Sequence, residues 1–172
     1  MSDFSILAEA FRYPAPGRLG RLRQLAEQMQ NSSAHRLLDK FIVLVQSLSL
    51  GEWEELYTSA LDLNPSAAPY LGFQTWGESY QRGEFMARLN HELARLSVDT
   101  DGELPDHIIP ALRYLDTTAE PLPELLAIFE PAVRRAAAAL RKSDADNPYN
   151  LLFEAALCAV QSLAATAPEN IL

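Results

Sequence analysis

The chain has one cysteine, Cys158, seven glycines and no long apolar run among its 172 residues. Each shortage excludes something. A single thiol forbids an internal disulfide and leaves nothing for a thiolate metal cluster. No apolar stretch approaches the roughly 20 residues that carry a helix across a bilayer. The opening MSDFSILAEAF has neither the basic start nor the apolar h-region of a secretory signal, so a cytoplasmic protein without direct membrane insertion is expected. Basic residues are scarce as well: 14 Lys and Arg against 23 Asp and Glu give a net charge of −9. A nucleic-acid binder needs a basic stripe to neutralise phosphates, so no nucleic acid is expected, and a charged partner should be basic.

What is there is a globular composition, 48% hydrophobic and 22% charged. A chain of this length buries about 70% of its unfolded surface, enough for one core, and the expectation is a single all-helical domain over residues 1–172. Apolar residues recur at spacings of three and four throughout. SILAEAFRYP puts Ile6, Leu7, Ala10 and Phe11 on one face, and GRLGRLRQLAEQMQN does the same with Leu19, Leu22, Leu25 and Met29. AHRLLDKFIVLVQSLSL, with Phe41 to Val45 all apolar, reads as a central buried helix, although that run alone also suits a strand. GEWEELYTSALDLNP is a short helix ended by Asn64 and Pro65, and SAAPYLGFQTWGES reads as irregular. Further helices are predicted for YQRGEFMARLNHELARLSV, for Pro105 to Leu115, for Leu122 to Arg141 with a break at Pro131, and for Tyr149 to Ala165. An Asp or Asn of SDADNP should cap the last of these. The fold class is therefore all-α, one compact bundle of about eight helices.

Catalytic patterns are missing. His35, His91 and His107 form no i, i+4 pair, no HExxH and no Glu-x-x-His, so no metal site is expected. GRLG and RGEF match neither phosphate-binding glycine loop, there is no nucleophile elbow, and Cys158 among alanines reads as a small buried hydrophobe. No catalytic residue and no cofactor is assigned.

Three stretches exceed what a plain bundle needs: WEELYTSALDLNP, the broken aromatic segment APYLGFQTWGESYQRGEF, and ELPDH at 103–107. In the last, Pro105 suits a first helical turn, and Glu103 and Asp106 complement a helix N-terminus. Pro110 lies deeper, where it should kink the helix. Neither role requires His107. Aromatics at helical spacing ordinarily belong to the core; Trp53 is left between core and surface, whereas Trp76, in irregular chain, is the aromatic expected to be exposed. Asp62 and Asn64 read as turn residues.

FRYP, LYTSALDLNPSAAPYLG, RGEFMARL and ELPDHIIPALRYL, in that order over residues 7 to 115, resemble the NarJ branch of the TorD/NarJ/DmsD family of molybdoenzyme maturation chaperones. The resemblance implies a TorD-like all-helical fold and a non-enzymatic task. Such proteins bind the N-terminal segment of a molybdenum-containing oxidoreductase catalytic subunit, a twin-arginine signal or its remnant. They hold the subunit until its cofactor is inserted, and a nitrate-reductase-like client is the default. The chain departs from the family in being short and in carrying Arg113 and Tyr114 where a Glu–Phe pair is familiar.

A basic, apolar leader needs an apolar groove and carboxylates. Leu56, Tyr57, Tyr70, Phe73 and Trp76 are expected to line the groove, with Glu103 and Asp106 meeting the arginines at the Pro105 and His107 corner. His107 either acts as a pH switch, weakening binding when protonated, or merely bonds nearby backbone. Two rival readings stand beside this one: a helical scaffold or regulator that binds another folded protein, and a nucleotide binder or enzyme, which the missing phosphate loop disfavours. Monomer and weak homodimer both fit.

Overall fold

The structure, a computed structural model, describes residues 1–166; residues 167–172 of the expected 1–172 domain lie outside the described part. It is all-helical. Nine α-helices follow one another among the described residues: α1 Asp3–Ala10, α2 Arg18–Ala26, α3 Ser32–Val45, α4 Leu50–Tyr57, α5 Leu71–Trp76, α6 Tyr80–Arg95, α7 Ile108–Thr117, α8 Pro123–Ser143 and α9 Tyr149–Thr166. A π-helical segment, Thr58–Asp62, continues α4.

Local chemistry sets many of these boundaries. Asn31 caps α3 by accepting from the Ser33 and Ala34 amides at 3.1 and 2.9 Å, while its own amide nitrogen donates to Ser162 Oγ at 2.7 Å and the Cys158 carbonyl at 3.1 Å, which ties α3 to α9. Ser49 and Glu52 form a reciprocal capping box at the start of α4. Asn147 accepts from the Tyr149 amide at 2.9 Å, the cap anticipated for α9.

The core is gathered around α9. This helix lies against α1, α3 and α8, α7 packs on α1, and α5 packs on α8. Tyr149 is fully buried at the centre: Phe41 and Tyr57 meet its ring edge-on at 5.1 and 5.6 Å, and its hydroxyl accepts from Trp53 Nε1 at 3.0 Å. Trp53 is thus a core residue. Phe11 and Phe153 pack with centroids 5.6 Å apart.

Several expectations need correction. Pro131 does not break α8: both it and Ala127, whose carbonyl loses its partner, face solvent, while Ile128, Phe129, Ala132 and Val133 are buried on the other side and hold the helix straight through. The segment 66–79 is not wholly irregular but contains α5. α3 is amphipathic and not buried all round, since Phe41, Ile42 and Val45 face the core while Val43 and Leu44 are 58% and 47% exposed. Pro105 lies in the turn before α7, and Pro110 lies in that helix's first turn, where a missing N–H costs nothing and no kink arises. Cys158 is half-buried.

Candidate functional site

Two loops that are far apart in sequence meet in front of α5 and α7. The Leu71 amide donates to the Asp106 carbonyl and the Ile108 amide to the Pro69 carbonyl, each at 2.8 Å, an isolated antiparallel bridge that pairs Tyr70 with His107. The second loop reaches this place through a turn in which Asp101 and Gly102 adopt φ of 58° and 77°, the left-handed region. The His107 amide then donates to the Leu104 carbonyl at 3.0 Å, so Pro105 and Asp106 form the centre of a tight turn.

Asp106 is fully buried at the back of this corner. Its carboxylate accepts two bonds from Arg82 of α6, from Nε at 2.8 Å and from a terminal nitrogen at 3.2 Å. The Arg82 guanidinium also lies 5.7 Å from the Tyr70 ring centre and 5.5 Å from that of Phe73, which shields it with two aromatic faces. α5 approaches so closely that a Cβ on Gly72 would stand 2.7 Å from Asp106 Oδ2, so a larger residue there would force the carboxylate or the helix to shift. Asp106 is therefore committed to an internal ion pair, which corrects the expectation that it meets a ligand's arginine.

His107 is the N-cap of α7. Its Nδ1 accepts from the Ile109 amide at 3.2 Å, which places the proton of the neutral ring on Nε2, and Tyr70 packs edge-on against it at 5.0 Å. Burial pushes its pKa down to about 3, so the ring stays neutral across the physiological range. The pH-switch reading is corrected accordingly, and the backbone-bonding role is the one the geometry carries.

Glu103 behaves differently. It is half-buried and accepts from the Tyr70 hydroxyl at 3.1 Å. Burial raises its pKa; the Tyr70 bond opposes that, and the neighbouring Asp62 and Asp101 carboxylates add to it. Tyr70 is pushed up to about 12 by burial and by Glu103. Asp62 is also raised by burial. No ion-pair partner of Glu103 or Asp62 occurs within 4.0 Å among the described residues, so a cation arriving here would relieve an existing strain.

The anticipated groove residues divide. Tyr70, Phe73, Glu103, Pro105, Asp106 and His107 come together in this corner. Tyr57 is buried, its ring in contact with Tyr13 at 5.1 Å and with Tyr149, so it backs the surface and does not line it. Leu56 is half-buried against the core. Trp76, expected to be exposed, is half-buried against Phe85 with centroids 5.2 Å apart.

Beside Tyr57 the surface opens into a depression of about 470 Å³ lined by Tyr13, Gly51, Glu54, Glu55, Thr58, Ser59 and Leu63. Tyr13 is 47% and Leu63 76% exposed. None of these lining residues was singled out from the sequence. Tyr13 stood in the FRYP motif and Leu63 in the LDLNP motif, but the π-helical turn that brings Leu63 out and Ala60 and Leu61 in has no periodicity signal. Arg113 and Tyr114 are structural: Arg113 donates to Glu9 at 3.2 Å across to α1, and the buried Tyr114 hydroxyl accepts from the Leu122 amide at 3.1 Å.

No protein-family model matches the chain, and no curated protein matches it. Among the described residues no group of three or more His, Cys, Asp or Glu side chains is arranged to hold a metal, and no helix is long and apolar enough to cross a membrane. Two features adjoin: an apolar depression with acids on its rim, and a corner whose outer carboxylate has no cation within 4.0 Å among the described residues.

Proposed function

We propose that this chain is a non-enzymatic, cytoplasmic chaperone that captures the basic, apolar N-terminal segment of a molybdenum-containing oxidoreductase catalytic subunit, with a nitrate-reductase-like client. The observation that carries the reading is the depression between α4 and the π-helical turn. Exposed Tyr13 and Leu63 offer apolar contact, Glu54 and Glu55 offer carboxylates, and the half-buried Glu103 in the adjoining corner has no cation of its own. A leader that binds as an amphipathic helix would set its apolar side on Tyr13 and Leu63 and its arginines on the carboxylates. The buried Arg82–Asp106 pair and the His107 cap hold the corner in shape and do not touch the client.

Aromatic and aliphatic anchors dominate such interfaces, whereas exposed ion pairs contribute about 0–1 kcal/mol each and mainly steer encounter. Calorimetry with the client's N-terminal peptide tests this. Tyr13→Ala and Leu63→Ala should each weaken binding about tenfold or more, and Glu103→Gln less than either. A wild-type protein that ignores the peptide, or variants that bind it as tightly as wild type, would overturn the assignment.

A further inference from the structure

The depression beside Tyr57 does not end at Leu63. On the other side of that residue lies a second one of about 350 Å³, between the end of the π-helical turn and the turn that joins α8 to α9. Ser59 and Leu63 line both, so the two are halves of one trough with Leu63, 76% exposed, standing between them. The π-helical turn makes this ridge. Its wider coil, closed by the Leu63 amide donating to the Thr58 carbonyl at 2.9 Å, buries Ala60 and Leu61 and turns Ser59 and Leu63 outward.

The far half has its shape held by hydrogen bonds. Asn64 Nδ2 donates to Ser143 Oγ at 3.1 Å and so joins the π-helical turn to the end of α8, and Ser143 Oγ donates in turn to the Leu140 carbonyl at 3.1 Å. Asn147 is buried, accepting from the Tyr149 amide at 2.9 Å and donating to Asp144 Oδ2 at 3.2 Å. What is left over is acceptors. Among the described residues no donor reaches Asn64 Oδ1 or Asp144 Oδ1, and exposed Asp144 has no cation within 4.0 Å. No basic residue lines either half among the described residues. The trough therefore carries carboxylates on both sides of its apolar ridge, Glu54 and Glu55 on one and Asp144 on the other.

We propose that the far half is a second subsite for the client segment, which takes a cationic, hydrogen-bond-donating side chain against Asn64 Oδ1 and Asp144. This rests on the reading of the Tyr13 and Leu63 depression as the client's surface. It adds a pattern to that reading: an apolar residue seated on Leu63, with a basic residue on each side of it. An ammonium or guanidinium brings several donors and the opposite charge to the two acceptors, whereas an acidic residue there would face Asp144 with like charge. Asp144 is exposed, so the contact adds little affinity and mainly fixes how the segment lies across the ridge.

Calorimetry in about 50 mM salt, where surface charges are lightly screened, tests this with the N-terminal peptide of the molybdenum-containing subunit and with forms of it in which one basic residue at a time is Gln. Asp144→Asn keeps an oxygen for Asn147 Nδ2 and should weaken the parent peptide about two- to fivefold. It should leave one Gln form unaffected, the one that already lacks the residue meeting Asp144. Asp146→Asn, exposed but outside the trough, should leave the affinity as it was. The Asn64 side-chain amide resonances should shift when the parent peptide is added, a readout that needs no variant. Binding that requires Tyr13 and Leu63 but is indifferent to Asp144→Asn, or that loses as much with Asp146→Asn, overturns the second subsite and leaves the first standing. So does an Asn64 amide that the bound peptide leaves unmoved. A wild-type chain that ignores the parent peptide overturns both.

Discussion

His107 makes stability itself depend on pH, and the size of the effect can be worked from its surroundings. The unfolded chain titrates this ring near 6.5, and the folded chain holds it neutral down to about 3, because burial disfavours the charged form and Nδ1 is occupied by the Ile109 amide. Above pH 6.5 the ring is neutral in both states and costs nothing. Below that value the unfolded state takes up a proton that the folded state refuses, so stability falls on acidification between about 6.5 and 3. Between pH 7 and 5 the loss from this one group is about 2 kcal/mol, or a fall of roughly 4–8 °C in melting temperature for a chain of this size. The raised Glu103 and Asp62 carboxyls work the other way, since the folded state keeps their protons more readily, but they are shared by wild type and variant. His107→Asn retains a side-chain oxygen able to accept from the Ile109 amide while removing the titration. Urea unfolding at pH 7 and pH 5, followed by far-ultraviolet circular dichroism, should therefore show wild type losing about 2 kcal/mol more than the variant over that interval. Identical losses in the two proteins would refute the reasoning and place the imidazole in contact with water.

Three further outcomes follow from the same corner and the core. Asp106→Asn leaves Arg82 shielded and without its carboxylate, and should cost about 3–5 kcal/mol in chemical denaturation. Gly72→Ala forces a methyl group to within 2.7 Å of Asp106 Oδ2 and should cost about 1–3 kcal/mol; a neutral result would mean that α5 can shift freely against the 103–107 turn. Trp53→Phe removes the Nε1 donor from the buried Tyr149 hydroxyl and should cost about 1–3 kcal/mol, read as a lower urea midpoint with unchanged slope.

How far the sequence reaches differs between the fold and the site. Amphipathic spacing located nearly every long helix, because a helix of this length must bury one stripe and the stripe is written in the residues themselves. It failed where tertiary contact competes with local signal. α5 is six residues long and is held by two backbone bonds to the 106–108 segment and by Gln74 Nε2, which donates to the Ser66 and Ala68 carbonyls at 2.9 and 3.0 Å. Val43 and Leu44 were read as core because an unbroken apolar run hides which side has no neighbour. In the site, the motif residues 70–73 and 103–107 do converge, but polarity alone could not tell that Asp106 turns inward to Arg82 while Glu103 stays half-exposed.

Taken alone, the residue order determined an all-helical chain, its charge and the segments worth watching, since composition and periodicity depend only on near neighbours along the backbone. Which carboxylate remains without a cation, which tyrosine faces water and which proline does no harm were decided by three-dimensional packing. Each of those depends on what arrives from a remote part of the chain: Arg82 at Asp106, Tyr149 behind Tyr57, solvent beside Pro131.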